Sequence, residues 1–259
     1  MVKNKKIIFL IIIFLIAFYI ILSIILAFPK GKTFNKTVFL GSGTKVSINN
    51  GNINVYNEDV EIKRQKVKVF FKGDFVDGYI SSNTGESSGI ENIYTVTNKD
   101  GDYLLPEYTL IAHTPDINIK VKESTVNNSV DYGEFYKFAE LNNISLPSEI
   151  ELDYMKINTL NIDNDNNDEY IYSVGFTKNT SEYASYVFLK NEDNYTLIVS
   201  DTTKKEAGRF NRLYFADLID FNEDNNYEFV VNRWLSEYGP DYYELYSYNG
   251  SKFTKIGGE

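Results

Sequence analysis

Short segments in which apolar and polar residues alternate with a period of two are the strongest constraint on the fold of this chain. Residues 44–49 and 117–122 show this pattern, and related segments lie between them. Pairs such as Asn50-Gly51 supply turn-forming sequence between the segments. This period is typical of antiparallel strands that bury one face. The sequence therefore predicts a mainly β protein with antiparallel β-rich regions.

A short helix and a second run of strands are predicted in the rest of the chain. Asp131 can cap the start of the helix, with Glu134 three residues later, and the helix should end near Asn143. Strands resume from Ile150. The predicted strands are residues 169–176, 183–190, 194–200, 211–219, 227–234, 241–248 and 252–256.

Near the N-terminus, three lysines precede an uncharged run of 22 residues, Ile7–Phe28. As a helix this run would be about 33 Å long, which is enough to cross a bilayer. A cleaved signal peptide is the alternative, but its apolar region would be shorter, at roughly 7–15 residues, with small residues before the cut. Residues 25–27 (ILA) offer only one small residue. The sequence favours an uncleaved, single-pass transmembrane helix in the cell membrane.

The orientation of this span is less strongly specified. Lysines flank it on both sides, so the rule that positive charge stays inside is nearly tied. The absence of cysteine and the cation sites described below favour an extracytoplasmic location for most of the chain. The expected organisation is a basic tail (residues 1–6), a transmembrane anchor (7–28), a linker (29–36), a β-rich module (37–125), a connection with one short helix (126–149) and a second β module (150–259).

Charge and composition exclude several functions. The formal net charge of −10 argues against binding to a nucleic-acid backbone and favours cations or a cationic partner, although an acidic surface also serves solubility. Without cysteine the chain has no disulfides, thiol catalysis or cysteine-ligated zinc. His113 is the only histidine, and because no Gly-x-Ser-x-Gly motif accompanies it, we expect it to be structural. The sequence therefore favours a non-enzymatic protein.

Two acidic loops, 59 positions apart, are the only segments that specify a chemistry. Residues 161–169 read NIDNDNNDE and residues 220–228 read DFNEDNNYE. A hard cation such as Ca²⁺ takes six to eight oxygen ligands, and a tight loop can supply most of them from alternate residues. Solvated turns in an Asn- and Asp-rich protein are the alternative interpretation. The predicted calcium ligands are Asn161, Asp163, Asp165, Asn167 (through its carbonyl) and Glu169, and then Asp220, Asn222, Asp224, Asn226 (through its carbonyl) and Glu228.

A loop of the form Asp-x-Asp/Asn-x-Asp-x-x-x-Asp/Glu followed by a strand resembles the loops of FG-GAP/VCBS-type repeats. These repeats are known from the β-propellers of integrin α-chains and from many bacterial surface proteins. The resemblance covers residues 151–259 and implies propeller-like, roughly four-stranded blades with calcium in the loops. The 59-residue spacing is similar to the length of one blade. The chain departs from the family because it lacks the Phe-Gly and Gly-Ala-Pro motifs, and because Asn161 replaces the usual leading Asp.

Three hypotheses for function follow. The first is a membrane-anchored extracytoplasmic binding or scaffold protein, with a protein or glycan partner and structural calcium in its loops. The second is a surface hydrolase that acts on glycans or the cell wall, which would need convergent carboxylates in a cleft. The third is an accessory subunit of a membrane complex that docks through its N-terminal span. The first hypothesis accounts for the anchor, the acidic loops and the lack of a catalytic motif together.

Overall fold

A computed structural model places its described residues in three antiparallel β-sheets and one α-helix. The residues it describes are 36–41, 43–57, 62–83, 93–104, 110–163, 165, 167–204, 210–235 and 242–257. The predicted membrane span, residues 7–28, lies outside these ranges. Within them, no helix has both the length and the apolar character needed to cross a bilayer.

The first sheet has seven strands and comes from the N-terminal half of the described chain. Its spatial order is β3-β2-β1-β7-β4-β5-β6, and every neighbouring pair is antiparallel. Burial alternates along β3 and β4, which confirms the prediction of half-buried antiparallel strands there, whereas the central strands β1 and β7 are buried at every residue. The strands are β1 (Thr37–Leu40), β2 (Thr44–Asn49), β3 (Asn52–Tyr56), β4 (Gln65–Phe71), β5 (Asp74–Asn83), β6 (Ile93–Thr97) and β7 (Ile111–His113).

The second and third sheets have five strands each, and each contains a four-stranded meander. The second sheet has the order β13-β12-β11-β10-β9 and the third has the order β17-β16-β15-β14-β8. The strands are β8 (Lys120–Lys122), β9 (Thr125–Asn127), β10 (Leu152–Leu160), β11 (Glu169–Asn179), β12 (Glu182–Asn191), β13 (Asn194–Lys204), β14 (Asn211–Asp220), β15 (Glu228–Leu235), β16 (Tyr242–Tyr248) and β17 (Phe253–Gly257). Residues 120–127 therefore supply one edge strand to the third sheet (β8) and one to the second sheet (β9).

The two meanders repeat the same design along the chain. β10 and β14 are the first strands, β11 and β15 the second, and one acidic loop joins the first to the second strand in each meander. Every strand predicted after residue 150 overlaps an observed strand. β10 lies where strands were expected to resume, from Ile150, although no bounds were predicted for it. The described strands form three separate sheets that do not close into a propeller.

The sheets stack in layers, with the third sheet in the centre. One face of the third sheet packs on the first sheet through residues such as Ile219 and Leu245, against Val38 and Leu40. Its other face packs on the second sheet through residues such as Phe215. Burying apolar side chains on both faces of the third sheet is the largest favourable contribution to this arrangement.

The helix α1 (Tyr132–Leu141) covers the outer face of the second sheet. The side chain of Asp131 accepts a hydrogen bond from the backbone N–H of Glu134, as the sequence predicts for an N-cap. Phe138 is fully buried and stacks on Phe188 with ring centroids 3.9 Å apart. The helix thus closes the side of the stack away from the first sheet.

Candidate metal centre

The two acidic loops occupy equivalent places in the fold. Loop 1 (residues 161–169) links β10 to β11, and loop 2 (residues 220–228) links β14 to β15. Glu169 pairs with Leu160 across the strands, and Glu228 pairs with Ile219 in the same way. The glutamate at position 9 of each loop is therefore the first residue of a strand, where the sheet fixes its backbone.

Each of these glutamates folds back over its own loop. The backbone N–H of Ile162 donates to Oε2 of Glu169 at 2.6 Å, and the N–H of Phe221 donates to Oε2 of Glu228 at 3.4 Å. Both glutamates are buried, with 2% and 6% of their surface exposed. A contact between positions 2 and 9 thus closes both loops in the same manner.

Short side chains shape the interior of each loop by accepting hydrogen bonds from the backbone two residues later. In loop 1 the N–H of Asp165 donates to Asp163 at 3.1 Å, and the N–H of Asn167 donates to Asp165 at 2.6 Å. These contacts are Asx turns, which hold a loop in a tight conformation. In loop 2 the N–H of Asp224 donates to the side chain of Asn222 at 3.3 Å, and the N–H of Asn226 donates to the side chain of Asp224 at 2.8 Å.

Loop 1 brings three carboxylates together. Asp163, Asp165 and Glu169 each place an oxygen within 4.8 Å of the others. Asp163 and Asp165 are exposed, whereas Glu169 lies beneath them in the sheet. Among the residues that the structure describes, this is the one group of three or more acidic, histidine or cysteine side chains with such convergence.

Asn161 places an amide group in the same loop. Its Nδ2 donates to the backbone carbonyl of Asp165, which fixes the side chain across the loop. Its Oδ1 is buried and has no hydrogen-bond partner among the described residues. A buried acceptor without a partner is unfavourable, so a cation at this position would satisfy it. Asn167 donates from Nδ2 of its side chain to Oδ2 of Asp165 at 3.1 Å, and its backbone carbonyl remains the predicted ligand.

Loop 2 is organised differently at position 1. Asp220 is fully buried and accepts the backbone N–H groups of Asp224 at 3.2 Å and of Asn225 at 3.1 Å. Asn225 has a positive φ of 63°, a conformation that asparagine tolerates. The structure therefore gives the predicted ligands of loop 2 internal partners, and the carboxylates of Asp220, Asp224 and Glu228 do not form a cluster like that of loop 1.

Two lysines of β8 contact the loops, and sequence reasoning missed both. The ammonium group of Lys120 lies 3.8 Å from Oδ2 of Asp220 and donates to Oδ1 of Asn225 at 2.7 Å in loop 2. Lys122 donates to the carbonyl oxygen of Ile162 at 2.8 Å in loop 1. The alternation of residues 117–122 shows that these lysines share one face of a strand, but the sequence does not show which loops they meet.

Burial and mutual repulsion alter the pKa values of the loop glutamates. Burial raises the pKa of Glu169, and the nearby carboxylates of Asp163 and Asp165 raise it further. The pKa of Glu228 is raised to about 7, chiefly by burial. Burial lowers the pKa of Lys122, while Glu169 and Asp163 oppose that change. In both loops the charged form of the glutamate at position 9 is therefore less favourable than it is in water.

His113 is buried in β7, with 3% of its surface exposed. Its ring packs edge-on against Phe75 at a centroid distance of 4.8 Å, and Nδ1 lies 2.8 Å from the carbonyl oxygen of Thr114. Burial lowers the pKa of the imidazole. This environment is that of a packed, neutral histidine in the first sheet.

Comparison of the chain with protein-family models, with curated proteins and with solved structures gave no match. Functional inference for this protein therefore rests on its own geometry.

Proposed function

We propose that this chain is a single-pass, membrane-anchored extracytoplasmic binding or scaffold protein whose acidic loops bind Ca²⁺ as a structural ion. The observation that carries the proposal is the convergence of Asp163, Asp165 and Glu169 within 4.8 Å, in the loop that also contains the buried, unpartnered Oδ1 of Asn161. Oxygen is the ligand that calcium prefers, and this group supplies it from both acidic and amide side chains.

The place of the loops in the fold supports a structural role for the ion. Each loop connects the first two strands of a four-stranded antiparallel meander. The resemblance to FG-GAP/VCBS-type repeats implies units of roughly four strands in which a calcium loop is followed by a strand. A cation in loop 1 would neutralise Asp163 and Asp165 at the point where β10 turns into β11. It would thereby stabilise the start of β11, where Glu169 pairs with Leu160.

Loop 1 is the stronger of the two proposed sites. In loop 2 the carboxylate of Asp220 already accepts two backbone N–H groups and lies near the ammonium group of Lys120. A cation there would have to compete with these partners. We therefore expect a first calcium ion in loop 1 and a second, weaker site in loop 2.

The membrane anchor is the second part of the proposal. It rests on the uncharged run Ile7–Phe28, whose length of 22 residues suits a bilayer span. We expect the full chain to remain with membranes after alkaline extraction. Protease added to the outside of intact cells should cleave the β-rich part. Release of the protein by alkali would contradict the membrane anchor. Protection of the β-rich part from protease would contradict the proposed orientation.

A thermal-shift experiment tests the calcium part. The full chain in detergent should melt at a higher temperature with calcium than with chelator, and the Asp165→Ala variant should lose this difference. Asp168→Ala is the matched control, because Asp168 is an exposed acid in the same loop that lies outside the carboxylate cluster. An equal calcium effect in wild type and Asp165→Ala would contradict the proposal.

A further inference from the structure

A cavity of about 420 Å³ lies where the three sheets meet. Residues of β4 and β7 line it from the first sheet, β10 from the second, and β8, β14 and β15 from the third. Half-buried residues give it apolar and aromatic surface, namely Phe70, Val121, Val126, Tyr214 and Ala216. Small-molecule sites commonly have volumes of roughly 300–1,000 Å³, so this cavity is large enough for a small organic molecule.

Lys156 is the charged residue that lines this cavity from the second sheet. Its neighbours in β10, Met155 and Ile157, are buried in the apolar cluster beneath helix α1. Side chains alternate between the two faces of a strand, so Lys156 lies on the other face, together with Leu160. Leu160 packs among residues of the third sheet. The lysine therefore lies on the face of the second sheet that meets the third.

The ammonium group of Lys156 has no direct partner among the described residues. The charge of Asp217 acts on it, but no described acceptor forms a hydrogen bond with it. Lys156 is half-buried, and burial lowers its pKa, while Asp217 opposes that change. Charges removed from water are normally paired directly, so this arrangement is unusual. The environment favours the neutral amine more than water does.

The internal repeat shows that an apolar residue suits this place in a meander. Lys156 precedes Asn161, the first residue of loop 1, by five positions, and Phe215 precedes Asp220, the first residue of loop 2, by five positions. Phe215 is fully buried in the apolar cluster between the second and third sheets. One meander thus has a buried ring where the other has a lysine that lines a cavity. A role in binding or chemistry, rather than in packing, accounts for this difference.

A β-bulge places an acid at the same cavity. Phe215 pairs with Val231 and Asp217 pairs with Val230, so Ala216 is an extra residue in β14. Both Ala216 and Asp217 line the cavity. The equivalent part of β10 pairs with β11 without interruption. The bulge is a departure from the internal repeat, and β-bulges commonly redirect side chains next to functional sites.

An amine that has lost its proton is a nucleophile, and lysines in poorly hydrated surroundings react with carbonyl compounds in this form. We propose that Lys156 forms a reversible imine with a small aldehyde or ketone that enters the cavity, with Asp217 carrying the protons. The apolar part of the wall suits a short aliphatic or aromatic carbonyl compound. The inference goes beyond the proposed binding role and does not depend on calcium.

The reaction conserves atoms and charge and needs no oxidant, reductant or cofactor. The carboxylate of Asp217 first accepts a proton from the ammonium group of Lys156 through an intervening water molecule, since the two groups are not hydrogen-bonded to each other. The lone pair of the neutral nitrogen then forms a bond to the carbonyl carbon. The C=O π electrons move to the oxygen, which takes up one proton from that nitrogen. Asp217 returns its proton to this hydroxyl group, which leaves as water while the C=N bond forms. One ammonium group and one carbonyl compound thus give one cationic imine and one water molecule.

Binding of a carboxylate is the competing use of this lysine. Such a ligand would pair with the ammonium group without a covalent bond. Asp217 and the exposed Glu123 both line the same cavity, and their negative charges oppose the entry of an anion. The observations therefore favour a neutral carbonyl compound, and anion binding becomes an outcome of the test.

Reductive trapping on the full chain tests the proposal. The protein, in a detergent and a buffer without primary amines, would be incubated with propanal or benzaldehyde at millimolar concentration together with cyanoborohydride, which converts an imine into a stable secondary amine. Peptide mass spectrometry then gives the rate of modification at each lysine. Each reaction would be run with calcium and with chelator, so that failure of calcium binding and failure of imine formation are recorded separately.

Lys122 is the matched control within the same chain. It is also half-buried with a pKa that burial lowers, but its ammonium group donates to the carbonyl oxygen of Ile162 and it does not line the cavity. We expect Lys156 to be modified about tenfold faster than Lys122 and than the exposed lysines. The proposal would be overturned if Lys156 reacted no faster than these lysines. Calorimetric binding of acetate without an adduct at Lys156 would also overturn it.

Two substitutions test the role of the acid. Asp217→Asn should slow the modification of Lys156 by about tenfold or more, because a group that carries protons in the reaction is lost. Asp217 raises the pKa of Lys156, so its loss alone would make the amine more reactive, and a slower reaction therefore reports the proton transfer. Glu123→Gln, which removes the exposed acid of the same lining, should leave the rate nearly unchanged. Circular dichroism would establish that each variant is folded. Equal rates in the wild type and in folded Asp217→Asn would contradict the role assigned to Asp217.

Discussion

The ammonium group of Lys122 lies 2.8 Å from the carbonyl oxygen of Ile162, so a lysine of β8 is bound to the acidic loop that follows β10. The same ammonium group lies 5.4 Å from the ring centre of Tyr227 in loop 2. One side chain therefore contacts both acidic loops. A positive charge in this position stabilises the carboxylates of loop 1 without metal, and it also opposes the entry of a cation.

Replacement of Lys122 by methionine should strengthen calcium binding to loop 1. Removing the positive charge beside Asp163 and Glu169 lowers the electrostatic cost of placing Ca²⁺ there, and we expect the dissociation constant to fall by roughly three- to tenfold. Without calcium, loss of the hydrogen bond to Ile162 should lower the free energy of unfolding by about 1 kcal/mol. Calcium titration and urea unfolding measure the two effects.

Lys252→Met is the control for this substitution, because Lys252 is exposed near the turn between β16 and β17. It removes the same charge at a position outside the acidic loops and should leave the calcium affinity nearly unchanged. Unchanged or weaker calcium binding in the Lys122→Met variant would show that this lysine does not oppose the cation.

Glu244 is the centre of a buried ionic network that links the last three strands. It is 1% exposed and accepts hydrogen bonds from Arg233 at 3.1 Å, Lys255 at 3.1 Å and Tyr246 at 2.7 Å. These partners lower the pKa of its carboxyl group despite burial. Glu244→Ala should decrease the free energy of unfolding by about 3 kcal/mol, because the half-buried guanidinium of Arg233 loses the carboxylate that balances its charge.

Chemical denaturation measures this loss, and Asp77→Ala provides the comparison. Asp77 also pairs with two lysines, Lys66 and Lys68, but all three groups are exposed to solvent. Exposed ion pairs contribute little, so this variant should unfold like the wild type within error. Similar losses in the two variants would contradict the importance of burial for the Glu244 network.

His113 should make the protein less stable in mild acid. Its pKa in the folded protein lies below the ordinary value of 6.5, mainly because of burial. Above pH 6.5 the ring is neutral in both the folded and the unfolded chain and makes no difference to stability. As the pH falls below 6.5, the unfolded chain takes up the proton first, so stability decreases until the pKa of the folded state is passed.

The measurement is the free energy of unfolding between pH 8 and pH 5 for wild type and His113→Gln. The variant should be less stable than wild type at high pH, since the ring packs against Phe75, and this difference should narrow as the pH falls. Because His113 is the only histidine, no other imidazole contributes to the comparison. A constant difference between the two proteins over this range would show that His113 titrates normally.

The sequence predicted the parts of the fold that depend on neighbours along the chain. Asp131 caps α1 through the N–H of Glu134 because both groups lie within one helical turn. The register of the acidic loops could also be predicted, since Glu169 and Glu228 occupy the same position relative to the strands that they begin. Loop spacing, caps and turns are local properties, and local sequence determines them.

Features that depend on distant segments could not be predicted. β8 pairs with β14 across about a hundred positions of sequence, and only that pairing brings Lys120 to Asp220 and Lys122 to loop 1. The bounds of β10 could not be predicted for a related reason. Lys156 and Asn158 are polar but are half-buried and buried in this strand, so the usual relation between polarity and exposure to solvent does not hold there.

Calorimetric titration of the chelator-treated full chain with calcium is the most direct test of the proposed metal centre. We expect saturable binding of at least one ion, with the first ion lost in Asp163→Ala and Asp165→Ala but retained in Asp168→Ala. Heats no larger than those of dilution in the wild type, or equal binding in all four proteins, would show that the oxygens of loop 1 do not form a calcium site.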